Sequence, residues 1–122
     1  MTTTEIPAVD AALPNGFAEE LTRALSGEVA FDDYSRHMFS RDASMYTMRP
    51  LAVVYPMDAG DVAATVRIAA AYGIAVTARG AGTSLAGQTV GAGIILDHSR
   101  HMNRILSIDP VARTARVEAG VV

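Results

Sequence analysis

The sequence has 122 residues, a formal net charge of −3, 50% hydrophobic and 19% charged residues, and no cysteine. That length is enough for one domain, and the apolar content supports a packed core, which excludes a disordered chain. The missing cysteines exclude a disulfide, a thiolate zinc site or an iron–sulfur cluster within this stretch. An acidic balance without a run of Lys or Arg argues against a nucleic-acid or acidic-membrane partner.

The opening MTTTEIPAVDAALPNG has neither a basic start nor an apolar core segment, so it does not read as a secretory signal. Apolar runs elsewhere are short and broken by Gly or charge, too short for a transmembrane helix. A soluble cytoplasmic protein is the default expectation, and the absence of Cys fits a reducing compartment.

In chain order, residues 1–15 hold two prolines and little periodicity and are expected to form a flexible lead. Asn15 can cap a helix whose apolar face is Phe17, Leu21 and Leu25, with Gly27 ending it. Residues 28–48 lack a clean period, although a short helix fits Asp32 to Phe39, followed by a loop. LAVVYP, residues 51–56, reads as a buried strand closed by Pro56. Asp58 offers an N-cap with Asp61 in the capping-box position, and Val62, Val66, Ala69 and Ala70 form the expected apolar stripe, with Tyr72 nearby. Gly73 supplies a left-handed terminator, and IAVTA, residues 74–78, is the next strand. Strand, helix and strand make a βαβ unit with an expected right-handed crossover.

A further buried strand is expected at Ile94 to Asp97. RILSID and ARTARVEA then bracket the turn DPVA as an antiparallel hairpin. Thr114, Arg116 and Glu118 alternate there with Ala115 and Val117, which predicts one wet face. The sequence stops in an apolar run after Gly120, so the chain is expected to be the N-terminal piece of something longer.

Between the second and third strands lies ARGAGTSLAGQTVGAG, residues 78–93, with five of the ten glycines and the hydroxyls of Thr83, Ser84 and Thr89. Two nucleotide-binding patterns nearly fit. GTSLAGQT, residues 82–89, satisfies the phosphate loop of nucleoside triphosphatases except that Gln88 replaces the charged Lys. GAGTSL, residues 80–85, satisfies G-x-G-x-x-G except that Leu85 replaces the third glycine. Both patterns need a helix directly after the loop, and VGAG opposes one. A glycine-rich surface connection without a ligand is the plain alternative. Against it, the loop follows a βαβ strand, where parallel sheets form ligand crevices, and it offers a dense run of unhindered N–H groups suited to an anion. The residues by themselves reach a phosphate-bearing ligand and stop.

RGAGTSLAGQ, preceded by PLAVVYPMDAGDVAATVRIAAAYGIAVTA and followed by IILDHSRHMNRILSIDPVARTARVEAGV, resembles the N-terminal half of the FAD-binding domain of the vanillyl-alcohol oxidase and p-cresol methylhydroxylase (PCMH) superfamily. The branch it is most similar to contains D-lactate, glycolate and D-2-hydroxyglutarate dehydrogenases. FSRDASMYTMRP resembles long members of that branch, which carry a C-terminal iron–sulfur part.

The resemblance implies an α+β fold. Residues 16–122 would form the N-terminal, βαβ-containing part of a PCMH-type FAD-binding domain, truncated after the start of a second sheet. It implies that Arg79, Gly80, Ala81, Gly82, Thr83 and Ser84 wrap the FAD pyrophosphate. Gly87, Gln88 and Thr89 would continue toward the ribityl and flavin side, and Pro56 would lie near the adenine. Some members tether flavin through a His where Thr83 stands here, so non-covalent FAD is implied.

The implied function is the FAD-binding portion of a dehydrogenase that oxidises a 2-hydroxy acid, with the catalytic residues beyond Val122. An iron–sulfur part or another electron acceptor would be its redox partner. The alternatives are a nucleoside-triphosphate module using GTSLAGQT, a non-catalytic interaction domain, or another flavin-superfamily member such as a cell-wall precursor reductase or a sugar-lactone oxidase.

Other residues have plainer readings. His98 and His101 are expected to be a solvent-facing loop pair, with no metal. Arg79 could counter phosphate charge or pair with Asp97 or Glu118. Asp32, Asp33 and Asp42 read as solvated or capping residues. Met38, Met45, Met48 and Met57 read as core filler, and Arg100 and Arg104 as a solvated face.

Overall fold

The computed structural model describes residues 12–122. Most of the expected flexible lead, residues 1–11, lies outside them. The rest of that stretch is engaged, because Leu13 packs against the core and the Pro14 carbonyl accepts the Phe17 N–H at 3.1 Å.

Helix α1 (Phe17–Ala24) buries Phe17 and Leu21 as the spacing predicts. Its N-cap is Gly16, at φ 79°, rather than Asn15. The helix also ends earlier than predicted, with Leu25 already extended, so Gly27 is not its terminator. Gly27 has a different task. A Cβ there would run into the Tyr55 carbonyl, because the chain enters strand β1 (Glu28–Ala30) pressed against the neighbouring strand. β1 is too short to carry a periodic signal, and its place at the sheet edge comes from pairing alone.

Helix α2 (Asp33–Met38) forms where expected and is capped by Asp32, whose carboxylate accepts the Ser35 N–H at 2.8 Å. Strand β2 (Ala52–Tyr55) is buried throughout. Helix α3 (Ala59–Ala71) follows, with Asp58 as N-cap accepting the Asp61 N–H at 2.9 Å. It ends on Gly73 at φ 67°, with Ile74 N–H returning to the Ala69 carbonyl and Gly73 N–H to Ala70, a Schellman closure. Because Ile74 belongs to that closure, strand β3 runs over Val76–Arg79, two residues later than predicted at its start.

The buried face of α3 is Asp61, Ala64, Thr65, Ile68 and Ala69. Val66 and Ala70, expected inward, are exposed. The helix is rotated from the apolar stripe because Asp61 is drawn inward, where its carboxylate accepts N–H groups from Ser26, Gly27 and Met57. Asp61 is thus a buried junction residue and does not close a capping box on Asp58.

Strand β4 (Ile94–Asp97) is found at the predicted residues. The main sheet has the order β1-β2-β4-β3, with β2, β4 and β3 parallel and β1 antiparallel to β2. The βαβ unit joins parallel strands, as expected, but β4 sits between them. The wholly buried IILD, like β2, takes a position with a partner on each side.

Alternation sorts the side chains into two layers. Val54, Ile94 and Leu96 meet Phe17, Leu21, Ile68 and Ala69 of α1 and α3. Val53, Tyr55 and Ile95 face the other way, onto Ala30 and Phe39. Each such Val, Ile or Leu contributes about 1.5–3 kcal/mol on burial. The four methionines expected in the core are instead exposed, Met45 to 90%, because these two layers are already filled by β-branched and aromatic side chains.

Strands β5 (Ile105–Asp109) and β6 (Thr114–Val117) form the predicted hairpin as a separate two-stranded sheet. Both its faces are exposed, not one, since every residue of both strands is exposed, Ile108 to 67%. No other described element packs over it. Arg104 clasps its base through Glu118, Nη2 to Oε1 at 2.7 Å, and this pairing lowers the carboxyl pKa of Glu118. Among the described residues, no helix is long and apolar enough to cross a membrane.

Candidate functional site

The three parallel strands deliver three chain segments to one end of the sheet: Pro56 after β2, Gly80 after β3 and His98 after β4. Pro56 is fully buried there. The chain from Gly80 to Gly93 then travels back along β3 to start β4, and no helix intervenes. The two nucleotide patterns considered above both require one.

That return path explains much of the glycine content. A Cβ on Gly93 would meet the Ala75 carbonyl, and one on Gly91 the Thr77 hydroxyl. A Cβ on Gly87, at φ 81°, would lie 2.9 Å from Cδ2 of the Tyr46 ring. A Cβ on Gly82, at φ 70°, would lie 2.6 Å from Cζ of the Arg79 guanidinium. Gly80 differs from the other four. It has ordinary backbone geometry and nothing within 4 Å of its Cβ position, so the protein's own packing does not require glycine there.

The loop's backbone donors are largely unspent. From Gly80 to Val90, two N–H groups find acceptors among the described residues: Ala86 donates to Gln88 Oε1 at 3.2 Å and Val90 to the Gly87 carbonyl at 3.5 Å. The N–H groups from Gly80 through Leu85 have none, nor do the hydroxyls of Thr83 and Ser84. Six successive unpaired donors, beside an open Cβ position, fit an anionic group such as a pyrophosphate.

Thr89 and Arg79 are already engaged by the protein. The Thr89 hydroxyl donates to Asp42 Oδ2 at 3.1 Å. Hydrogen bonds from Ser44, then Thr89, lower the Asp42 carboxyl pKa. Arg79 pairs with neither Asp97 nor Glu118. It donates to the Arg41 carbonyl at 2.7 Å and weakly to the Thr89 carbonyl at 3.4 Å, and stacks over Phe39 at 5.0 Å. Asp97 instead binds Ser99, and Glu118 binds Arg104. The contribution of residues 39–46 to this loop is not legible in hydrophobic periodicity. The hydrogen bonds span 38 to 47 residues of sequence, and only the distinctive FSRDASMY string marks the segment.

The histidines are not a solvent-facing pair. His98 is buried, with Nδ1 3.4 Å from the Arg79 carbonyl, and His101 Nε2 lies 2.6 Å from Glu28 Oε2. Three-membered metal-binding groups are absent among the described residues. Arg100, expected to be solvated, stacks on Tyr55 at 3.6 Å.

Residues 50–122 match the profile of a family described as FAD binding domain. The chain is 40% identical over 97% of its length to the D-2-hydroxyglutarate dehydrogenase of Escherichia coli, spanning 12% of that protein. It is 35% identical over 80% of its length to the glycolate oxidase subunit GlcD of Bacillus subtilis, spanning 22% of it. Among solved structures, 6-hydroxy-D-nicotine oxidase from Arthrobacter nicotinovorans superposes with a TM-score of 0.69 at 30% identity, over 91% of this chain and 23% of that one. With the family profile matching more than half of its residues and the fold shared with these flavoproteins, the chain belongs to the FAD-binding domains of the PCMH and vanillyl-alcohol oxidase superfamily.

Proposed function

We propose that the chain is the N-terminal part, residues 16–122, of the FAD-binding domain of a cytoplasmic dehydrogenase that oxidises a 2-hydroxy acid of the D-2-hydroxyglutarate, D-lactate or glycolate type. The single observation carrying the site is the run of unpaired N–H groups from Gly80 to Leu85 beside the open face of Gly80. These groups, with the Thr83 and Ser84 hydroxyls, would hold the FAD pyrophosphate, each charge-assisted bond contributing about 1.5–3 kcal/mol. The loop from Arg79 through Ala81 and Gly82 brings them to the end of the sheet, with Gly87, Gln88 and Thr89 beyond. Pro56, at the same end, would border the adenine.

FAD supplies the hydride acceptor when bound, and this part of the protein places and shields it. Thr83 lacks the imidazole of the tethering His and the chain has no cysteine thiol, which supports non-covalent FAD. The hydroxy-acid class rests on the names of the relatives. Since the chain spans about an eighth of the D-2-hydroxyglutarate dehydrogenase it matches, substrate binding, the base and an iron–sulfur or other electron-acceptor partner are assigned to the rest of such an enzyme.

The test is to purify the full-length enzyme, record its flavin spectrum before and after acid release, and screen 2-hydroxy acids with a dye acceptor. Releasable FAD reduced by one of these acids is expected. A flavin-free protein that instead binds a magnesium nucleotide would establish the triphosphate reading.

A further inference from the structure

The glycine loop is held from outside by one neighbouring segment. Residues 40–48 close on themselves: Met48 N–H donates to the Ser40 carbonyl at 2.9 Å, Arg41 bridges Thr47, and Asp42 Oδ1 accepts the Ser44 N–H at 2.8 Å. Phe39, at the base, packs edge-on against Tyr55 of β2 with centroids 5.8 Å apart. From this support three contacts reach the loop. Asp42 holds the Thr89 hydroxyl, the Tyr46 ring lies under Gly87, and Phe39 with the Arg41 carbonyl fixes Arg79, whose guanidinium in turn underlies Gly82.

We propose that residues 39–46 are a positioning element for the glycine loop, and that the Arg79 side chain acts on the bound cofactor through that element rather than as a counter-charge to its phosphates. The proposal rests on the FAD reading above. A guanidinium suits this work because its Nη1 reaches two carbonyls while its planar face stacks on an aromatic ring. An ammonium keeps the charge but cannot do both. Gly82 and Gly87, both at positive φ, have wide backbone freedom, so the contacts from residues 39–46 are what select these conformations. Without the support, the segment carrying the donors from Gly80 to Leu85 would no longer be held in one conformation.

The test measures FAD affinity by reconstituting the full-length apoenzyme across a range of ionic strength. Arg79→Lys is expected to weaken FAD at least tenfold, about as much as Arg79→Gln, with a salt dependence matching the wild type. Thr89→Val should weaken FAD several-fold and Thr89→Ser should restore it, with circular dichroism and melting confirming that each variant is folded. Wild-type affinity in Arg79→Lys, with both affinity and salt dependence lost in Arg79→Gln, would overturn the proposal in favour of a counter-charge. Equal FAD binding by Thr89→Val and wild type would overturn the role of the segment. A wild-type apoenzyme that takes up no FAD would overturn the cofactor reading itself, and this inference with it.

Discussion

The carboxylate of Asp61 accepts the backbone N–H of Gly27 at 2.8 Å, across 34 residues of sequence. Through Ser26 and Met57 the same side chain joins the entry to β1 with the turn from β2 into α3. The junction borders Pro56, so it sets how one wall of the candidate site leaves the sheet.

Replacing Asp61 with Ala should therefore cost about 2–4 kcal/mol, since three N–H groups lose their acceptor. Burial alone raises the Asp61 pKa, but the N–H donors of Met57, Ser26 and Gly27 outweigh it and the net shift is downward. A carboxyl depressed in the folded state stabilises fully above its unfolded value and loses that contribution as pH falls through the folded one. The melting temperature of the wild type should fall below about pH 4, and Asp61→Asn should begin lower and decline less. Thermal melts across that range check both statements.

The Glu28–His101 contact provides a contrast. The hydrogen bond from His101 is the main cause of the lowered Glu28 pKa, so its contribution is also lost in acid. Glu28 is about half exposed, and Glu28→Gln should change stability at neutral pH by less than about 1 kcal/mol. A chemical-denaturation midpoint close to wild type is expected.

The glycines separate into structural and ligand-facing positions. Gly93→Ala would press a methyl into the Ala75 backbone, 2.8 Å from its carbonyl carbon. It should disturb the 2.9 Å bond from Ile94 N–H to that carbonyl, at a cost of about 3 kcal/mol. Gly73→Ala meets no atom and should cost only about 1–2 kcal/mol, for its left-handed backbone. Urea titrations of both variants test the ranking.

Gly80→Val should leave melting unchanged within about 0.5 kcal/mol, because its side chain enters open space. The same substitution should sharply lower the FAD content of the full-length enzyme by obstructing the approach of the pyrophosphate to the loop. Retained flavin in a folded Gly80→Val enzyme would remove this loop from the site.

Local rules made several features readable in the sequence: the Asp58 cap, the Gly73 stop, the strand over Ile94–Asp97 and the hairpin around DPVA. Each depends on side chains and backbone within a few residues of one another. The glycine loop was recognisable for the same reason, as a dense string of small residues between two strands. The insertion of β4 between β2 and β3, the edge strand β1 and the inward turn of Asp61 were decided by tertiary structure. Their partners lie tens of residues away, and pairing energy rather than local propensity selects them. The tertiary structure also divided the five loop glycines, giving four of them to close contacts with Arg79, Tyr46, Thr77 and Ala75 and leaving Gly80 open. Composition marks a loop as glycine-rich, but only packing shows which glycine the protein's own structure does not need.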